Sequence, residues 1–98
     1  MKYMLFYRGP ATPPGASHEG WMTWFNKLGD ALVDQGSPIV PDATVMHSDG
    51  STTESAAGLN GYSVIRAENR DEALHLIKDH PYLRQGTGYT IEIFERER

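Results

Sequence analysis

With 98 residues, the chain has room for one hydrophobic core and not for two. Its composition, 39% hydrophobic and 22% charged, is that of a globular domain, and a net charge of −4 with dispersed basic residues excludes the concentrated cationic face that nucleic acid requires. The absence of cysteine excludes disulfides, thiolate catalysis and thiolate-bound metals.

No apolar run approaches the roughly 18 residues of a membrane span. The chain begins on strand-like residues rather than on a basic and apolar leader, so the expected compartment is the cytoplasm, without a membrane partner. Lys2–Arg8 is short and dense in aromatic and aliphatic residues, and Gly9-Pro10 stops it, which predicts a first strand. Pro10, Pro13, Pro14 and Gly15 then form a stiff loop. Ser17 is a candidate N-cap for a helix whose stripe is Trp21, Phe25, Leu28 and Leu32, at intervals of four, three and four. Trp24 widens that stripe, and Gly36 followed by Pro38 reads as its C-terminal stop.

Ala43–His47 is β-branched and short, a second strand. The polar stretch from Ser48 to Asn60 reads as a mobile connection, and Gly61–Ala67 as the third strand. Asn69 and Glu72 have the spacing of an N-cap and its N3 partner. The helix they open is expected to reach His80, because Pro81 disfavours the α conformation in the residue before it. Gly86 and Gly88 punctuate a loop, and Tyr89–Glu95 is the last strand.

The order βαββαβ predicts an α+β, ferredoxin-like single domain over residues 1–98, a four-stranded antiparallel sheet with two helices on one face. The sheet's other face then needs cover, and a second copy of the chain is the simplest cover, so a homodimer is expected. In this topology Gly9–Ser17, Ser48–Asn60 and Pro81–Gly88 meet at one end, which brings Arg8, His18, His47, Asp49, His80 and Tyr82 to one rim.

His80, in the last turn of a helix, is expected to feel the negative end of the macrodipole and to serve as an acid/base or to pair with an anion. The plainer reading is a residue that caps a free carbonyl. Asp49 has the spacing to orient His47 for acid/base work, yet Asp49-Gly50 is also an ordinary turn dipeptide. Arg8 has the chemistry to hold a carboxylate or phosphate, although an Arg at a strand end usually lies at the surface. His18 reads as a solvated residue of the first helical turn. Glu72 and His75 form a single Glu-x-x-His spacing, where di-iron bundles need two copies, so no metal is expected. The absence of Gly-x-Gly-x-x-Gly, Gly-Lys-Ser/Thr and Gly-x-Ser-x-Gly patterns leaves no expected cofactor and no serine nucleophile.

The opening MKYMLFYRGP, the stretch GYSVIRAENRDEALHLIKDHPYL and the closing YTIEIFE resemble the YCII-related family, which includes the DGPF proteins. The resemblance spans most of the chain. It implies a dimeric α/β barrel, and in some members a His–Asp pair that performs lyase or dehydrochlorinase-like chemistry. Family members with that pair carry Asp just before Pro-Tyr, where this chain has His80, with Asp79 one residue earlier. The helix-one histidine of those members has no match at Trp24-Phe25, and Asp49-Gly50-Ser51-Thr52 stands in the region of the Asp-Gly-Pro-Phe signature.

Three functions follow, of which a purely structural interaction module, marked by a filled or absent pocket, is the plainest. Of the other two, the first is a cofactor-independent enzyme that transfers protons on a small organic molecule, with His80 as acid/base and Arg8 or Asp49 assisting. The second is a ligand-binding or regulatory dimer without chemistry, lined by Tyr and Trp around one His. A buried His within reach of a carboxylate marks the first, and an isolated one the second.

Overall fold

The computed structural model describes residues 1–10, 18–40, 42–56 and 58–96. Strand β1, Lys2–Arg8, alternates strictly: Tyr3, Leu5 and Tyr7 are buried, while the side chains between them are only partly covered. It lies inside a four-stranded antiparallel sheet of order β2-β5-β1-β6, formed with β2 (Leu32–Pro38), β5 (Leu59–Arg66) and β6 (Thr90–Glu95). Helices α1 (His18–Leu28) and α2 (Arg70–Ile77) send Trp24, Phe25, Ala73 and Ile77 into the core cluster of Tyr3, Leu5, Tyr7 and Ile65. The architecture is the expected α+β, ferredoxin-like arrangement.

Asn69 caps α2 as its spacing predicts, its Oδ1 accepting from the Glu72 amide at 2.9 Å. Ser17 and the proline-rich residues 11–15 lie outside the described residues.

Three boundaries differ from the sequence reading: α2 stops at Ile77, short of His80, and the other two have local causes. α1 ends at Leu28, not near Gly36, because Gly29 takes the left-handed conformation (φ +55°) that closes a helix. Leu32, in phase with the helical stripe, instead opens β2 opposite Ile65, where it still packs on the core. A leucine four residues beyond Leu28 suits either geometry, so periodicity alone could not place the boundary.

The third correction concerns the segment at Ala43–His47. It is not a strand of the main sheet; β3 (Asp42–Met46) pairs with β4 (Thr52–Ala56) in a separate two-stranded hairpin inserted between β2 and β5. The stretch from Ser48 to Asn60 therefore contains β4 and the start of β5, not one long loop. Val40 and Met46 are 74% and 72% exposed beside and on this hairpin.

β2 pairs with β5 through a bulge: Asp34 faces Val64 and Ser37 faces Tyr62, so Gln35 and Gly36 stand against Ser63 alone. Gly36 has φ +73°, and a Cβ there would lie 1.7 Å from the Tyr62 carbonyl oxygen. The Asp34 carboxylate accepts from the Gly36 amide at 2.8 Å and holds the bulge's bend.

Gly36→Ala is therefore expected to lower unfolding free energy by more than about 2 kcal/mol. Gly29→Ala, whose Cβ would meet nothing within 4 Å, bears only the left-handed penalty of about 1 kcal/mol. Urea denaturation of the two variants should separate them in that order.

Candidate functional site

Among the described residues, Gly9 and Pro10 after β1, Gly58 and Asn60 around the start of β5, and Tyr82 after α2 meet at one end of the sheet. The Gly9 amide donates to the Gly58 carbonyl at 2.9 Å, and the Asn60 side chain reaches both Pro10 and Tyr82. Beneath them, between α1 and the bulged edge of the sheet, lies a cavity of about 400 Å3. Tyr7, Trp21, Phe25 and Tyr82 give it aromatic walls, and Gln35, Ser37 and Asn60 add uncharged polar groups. Gly61 keeps the floor open, since a Cβ there would come within 2.9 Å of the Ser37 carbonyl. Among the described residues that line it, none carries a charge at neutral pH.

Behind the Tyr7 wall sits His80, fully buried. It is not in the last turn of α2. It is the extended residue (φ −60°, ψ +133°) that Pro81 demands, and it caps a 3-10 turn at Pro81–Gln85. Its Nδ1 accepts from the Tyr82 amide at 3.0 Å. An amide can only donate, so Nδ1 is bare and the neutral ring carries its proton on Nε2, a tautomer assigned from the network. Nε2–H then donates to the Tyr7 hydroxyl at 3.1 Å, Tyr7 donates to Ser63 Oγ at 2.7 Å, and Ser63 donates to the Gln35 carbonyl at 2.8 Å. Each hydrogen in this chain has one acceptor, and the last acceptor is the carbonyl that the β2 bulge turns inward.

The expectation of a charged His80 is overturned. Burial pushes its pKa from 6.5 down to about 3. Protonating Nδ1 would also set its N–H against the Tyr82 amide, two donors facing each other. The aromatic rings around the imidazole, with Trp24 at 3.9 Å and Trp21 at 4.6 Å between centroids, attract a cation by about 0.5–2 kcal/mol. That attraction is too small to offset a desolvation of this size. Burial also raises the Tyr7 phenol far above its ordinary value, with the Ser63 bond a smaller opposing effect. Burial raises Tyr82 as well.

The remaining candidates are distributed differently. Tyr82 lines the cavity. Arg8 does not: it pairs with Glu92 on the face of the sheet opposite Tyr7, as strand alternation requires. His47 and Asp49 belong to the β3–β4 hairpin and do not line the cavity. His47 Nε2 meets Thr53 Oγ1 at 3.0 Å, while Asp49 accepts from the Ser51 amide and hydroxyl, whose bonds hold its pKa below the ordinary carboxylate range. The Asp49-Gly50 pair is thus the turn its composition predicts, with Gly50 at φ +88°. His18 opens α1, but its side chain lies outside the described part of the structure. Among the described residues no group of three His, Asp or Glu side chains is placed to hold a metal ion, and no helix is long and apolar enough to cross a membrane.

Sequence reasoning missed Tyr7, Ser63, Asn60 and Gln35. A signal existed for two of them: Tyr7 shares the parity of Tyr3 and Leu5, and Ser63 is a polar residue in phase with buried Ile65.

No protein-family model and no curated protein matches the chain. Among solved structures it is similar to 5-chloro-2-hydroxyhydroquinone dehydrochlorinase (TftG) from Burkholderia phenoliruptrix AC1100, in complex with 2,5-dihydroxybenzoquinone. The TM-score is 0.63 over 99% of this chain and 94% of that one, at 13% identity, which shows a shared fold.

His80 binds no proton in the folded state until about pH 3, whereas in the unfolded chain it does so below 6.5. Between those values the unfolded state holds the extra proton, so stability falls as pH falls, by up to about 1.4 kcal/mol per pH unit. His80→Gln should flatten the pH dependence of unfolding free energy across this window by close to one proton. An unchanged slope would mean that His80 titrates normally.

Proposed function

We propose that the protein is a YCII-related homodimer that binds a small, uncharged aromatic molecule in the cavity beside Tyr7. The observation that carries this reading is the cavity's lining: aromatic rings, a few hydroxyl and amide groups, and no charged side chain among the described residues. Such a surface matches an apolar body with few polar atoms and repels a free ion, whose desolvation nothing there offsets. His80 supports recognition over proton transfer. It is neutral, its two ring nitrogens are both engaged, and its partners are a phenol and an amide rather than a carboxylate. Efficient general acid/base work near neutrality calls for a group that titrates there.

A second reading, cofactor-independent acid/base chemistry on a phenol or quinone, draws support from the shared fold with a dehydrochlorinase and from the Tyr7–His80 pair at the cavity wall. In that reading Tyr7 is the group that touches the substrate and His80 is the group behind it that supplies or holds a proton.

Dimerisation is favoured by the sheet face away from the helices. Met4, Phe6, Val64 and Phe94 share it by register, and Phe6 and Phe94 meet edge to face with centroids 5.5 Å apart. Phe94 is 51% exposed in the single chain, an apolar ring that a second sheet would cover.

Three outcomes test these readings. Neutral phenols and quinones should quench tryptophan fluorescence saturably, and a quinone that is ionised at the assay pH should bind more weakly. Met22→Trp, which fills the cavity from its rim, should weaken that binding at least about tenfold. Because the chain lacks cysteine, quenching will not arise from thiol addition. Chloride release from a chlorinated hydroquinone, abolished by Tyr7→Phe, would establish the enzymatic reading in place of the first. Phe94→Glu should turn a dimer into a folded monomer in light scattering, and a wild-type monomer would remove the dimer proposal.

A further inference from the structure

Two buried phenols border the cavity, and they differ in what they have left to give. Tyr7 donates its hydroxyl hydrogen to Ser63. Tyr82 does not donate within the described structure; it only accepts.

The Asn60 amide fixes this. Its Nδ2 lies 2.8 Å from the Pro10 carbonyl and 3.5 Å from the Gly9 carbonyl. Carbonyl oxygens only accept, so the amide cannot be turned the other way round. The same nitrogen lies 2.9 Å from Tyr82 Oη, which must therefore accept its second hydrogen. The hydrogen of the Tyr82 hydroxyl finds no acceptor among the described residues. Tyr82 is 1% exposed and lines the cavity, its ring held against Tyr7 at 5.1 Å and Tyr89 at 5.3 Å, so the partner left to this donor is whatever occupies the cavity.

We infer that Tyr82, positioned by Asn60, is the specificity-determining residue of the cavity, presenting its O–H to a neutral oxygen acceptor on an aromatic ligand: a ketone or quinone carbonyl. The inference rests on the reading of the cavity as a small-molecule site and adds to it the ligand's polar handle. A carboxylate would also accept, but the described residues of the lining offer no cation to balance it. A plain hydrocarbon would leave the donor unmatched inside the site. Sites built around a hydrogen bond reject analogues that lack the partner atom more strongly than apolar pockets sort by size.

The probes are 1-tetralone and tetralin, which share a bicyclic frame and differ by one carbonyl oxygen, titrated calorimetrically into the intact chain. Wild type should bind 1-tetralone about tenfold more tightly than tetralin, and Tyr82→Phe should bring the two dissociation constants together by weakening the ketone. Asn60→Asp provides a second arm if Tyr82→Phe fails to fold, since a carboxylate there accepts the Tyr82 hydrogen and withdraws it from the ligand. It too should erase the preference. A preference that survives in either folded variant, or a wild type that binds both probes equally, overturns the role of Tyr82 and leaves the cavity as a binding site. A wild type that binds neither probe overturns both.

Discussion

The hydrogen bond from the Tyr82 amide to His80 Nδ1 sets the direction of the buried polar chain that runs from His80 through Tyr7 and Ser63 to Gln35. Because that nitrogen must be bare, the imidazole's one proton sits on Nε2, and the Tyr7 hydroxyl can only receive it. Tyr7 must then donate onward to Ser63, and Ser63 to Gln35. Pro81 stands at the root of this order: it forces His80 out of the helix and into the extended geometry that lets the ring turn back on the Tyr82 amide. Removing one member would strand a buried donor or acceptor, at a cost of about 1–3 kcal/mol. That cost ties four segments of the chain, β1, β2, β5 and the turn after α2, to a single arrangement.

The same chain of bonds shapes the cavity. The Gln35 carbonyl can meet Ser63 only because β2 bulges at Gln35 and Gly36, and Gly36 alone tolerates the approach of the Tyr62 carbonyl. The bulge lifts the edge strand, Gly61 leaves the floor bare, and Trp21 closes the side. What results is an aromatic space whose described lining is uncharged and whose polar groups are largely committed to one another. The chemistry such a space supports is recognition by shape and by a small number of directed hydrogen bonds.

The general plan was legible in the sequence because it rests on local rules. Alternation in Lys2–Arg8, the Asn69 cap and the His80-Pro81 break each dictate their own conformation, and together they specify the ferredoxin-like order. That order also brings Gly9 and Pro10, Asn60 and Tyr82 together at one end, whereas His47 and Asp49, expected at the same rim, belong to the hairpin turn. The misreadings came where one residue satisfies two patterns. Leu32 is in phase with a helix and also with an edge strand, and Ala43–His47 is a strand by composition whose partner is a neighbouring segment instead of the main sheet. The charge of His80 was misjudged for another reason. The helix macrodipole is a local rule, but the rings of Trp21, Trp24 and Tyr7 that enclose the imidazole come from distant parts of the chain. Desolvation is a property of the assembled fold, so the role of the cavity's aromatic walls could not be read before the fold was known.

The central claim is that His80 is a neutral imidazole locked in one tautomer. Long-range proton–nitrogen correlation spectra of the His80 ring test it most directly, because the two nitrogen shifts report the position of the proton. The account predicts a protonated Nε2 and a bare Nδ1, unchanged from about pH 8 down to about pH 4.5. An imidazolium forming near its ordinary pKa, or a ring protonated on Nδ1, would contradict it.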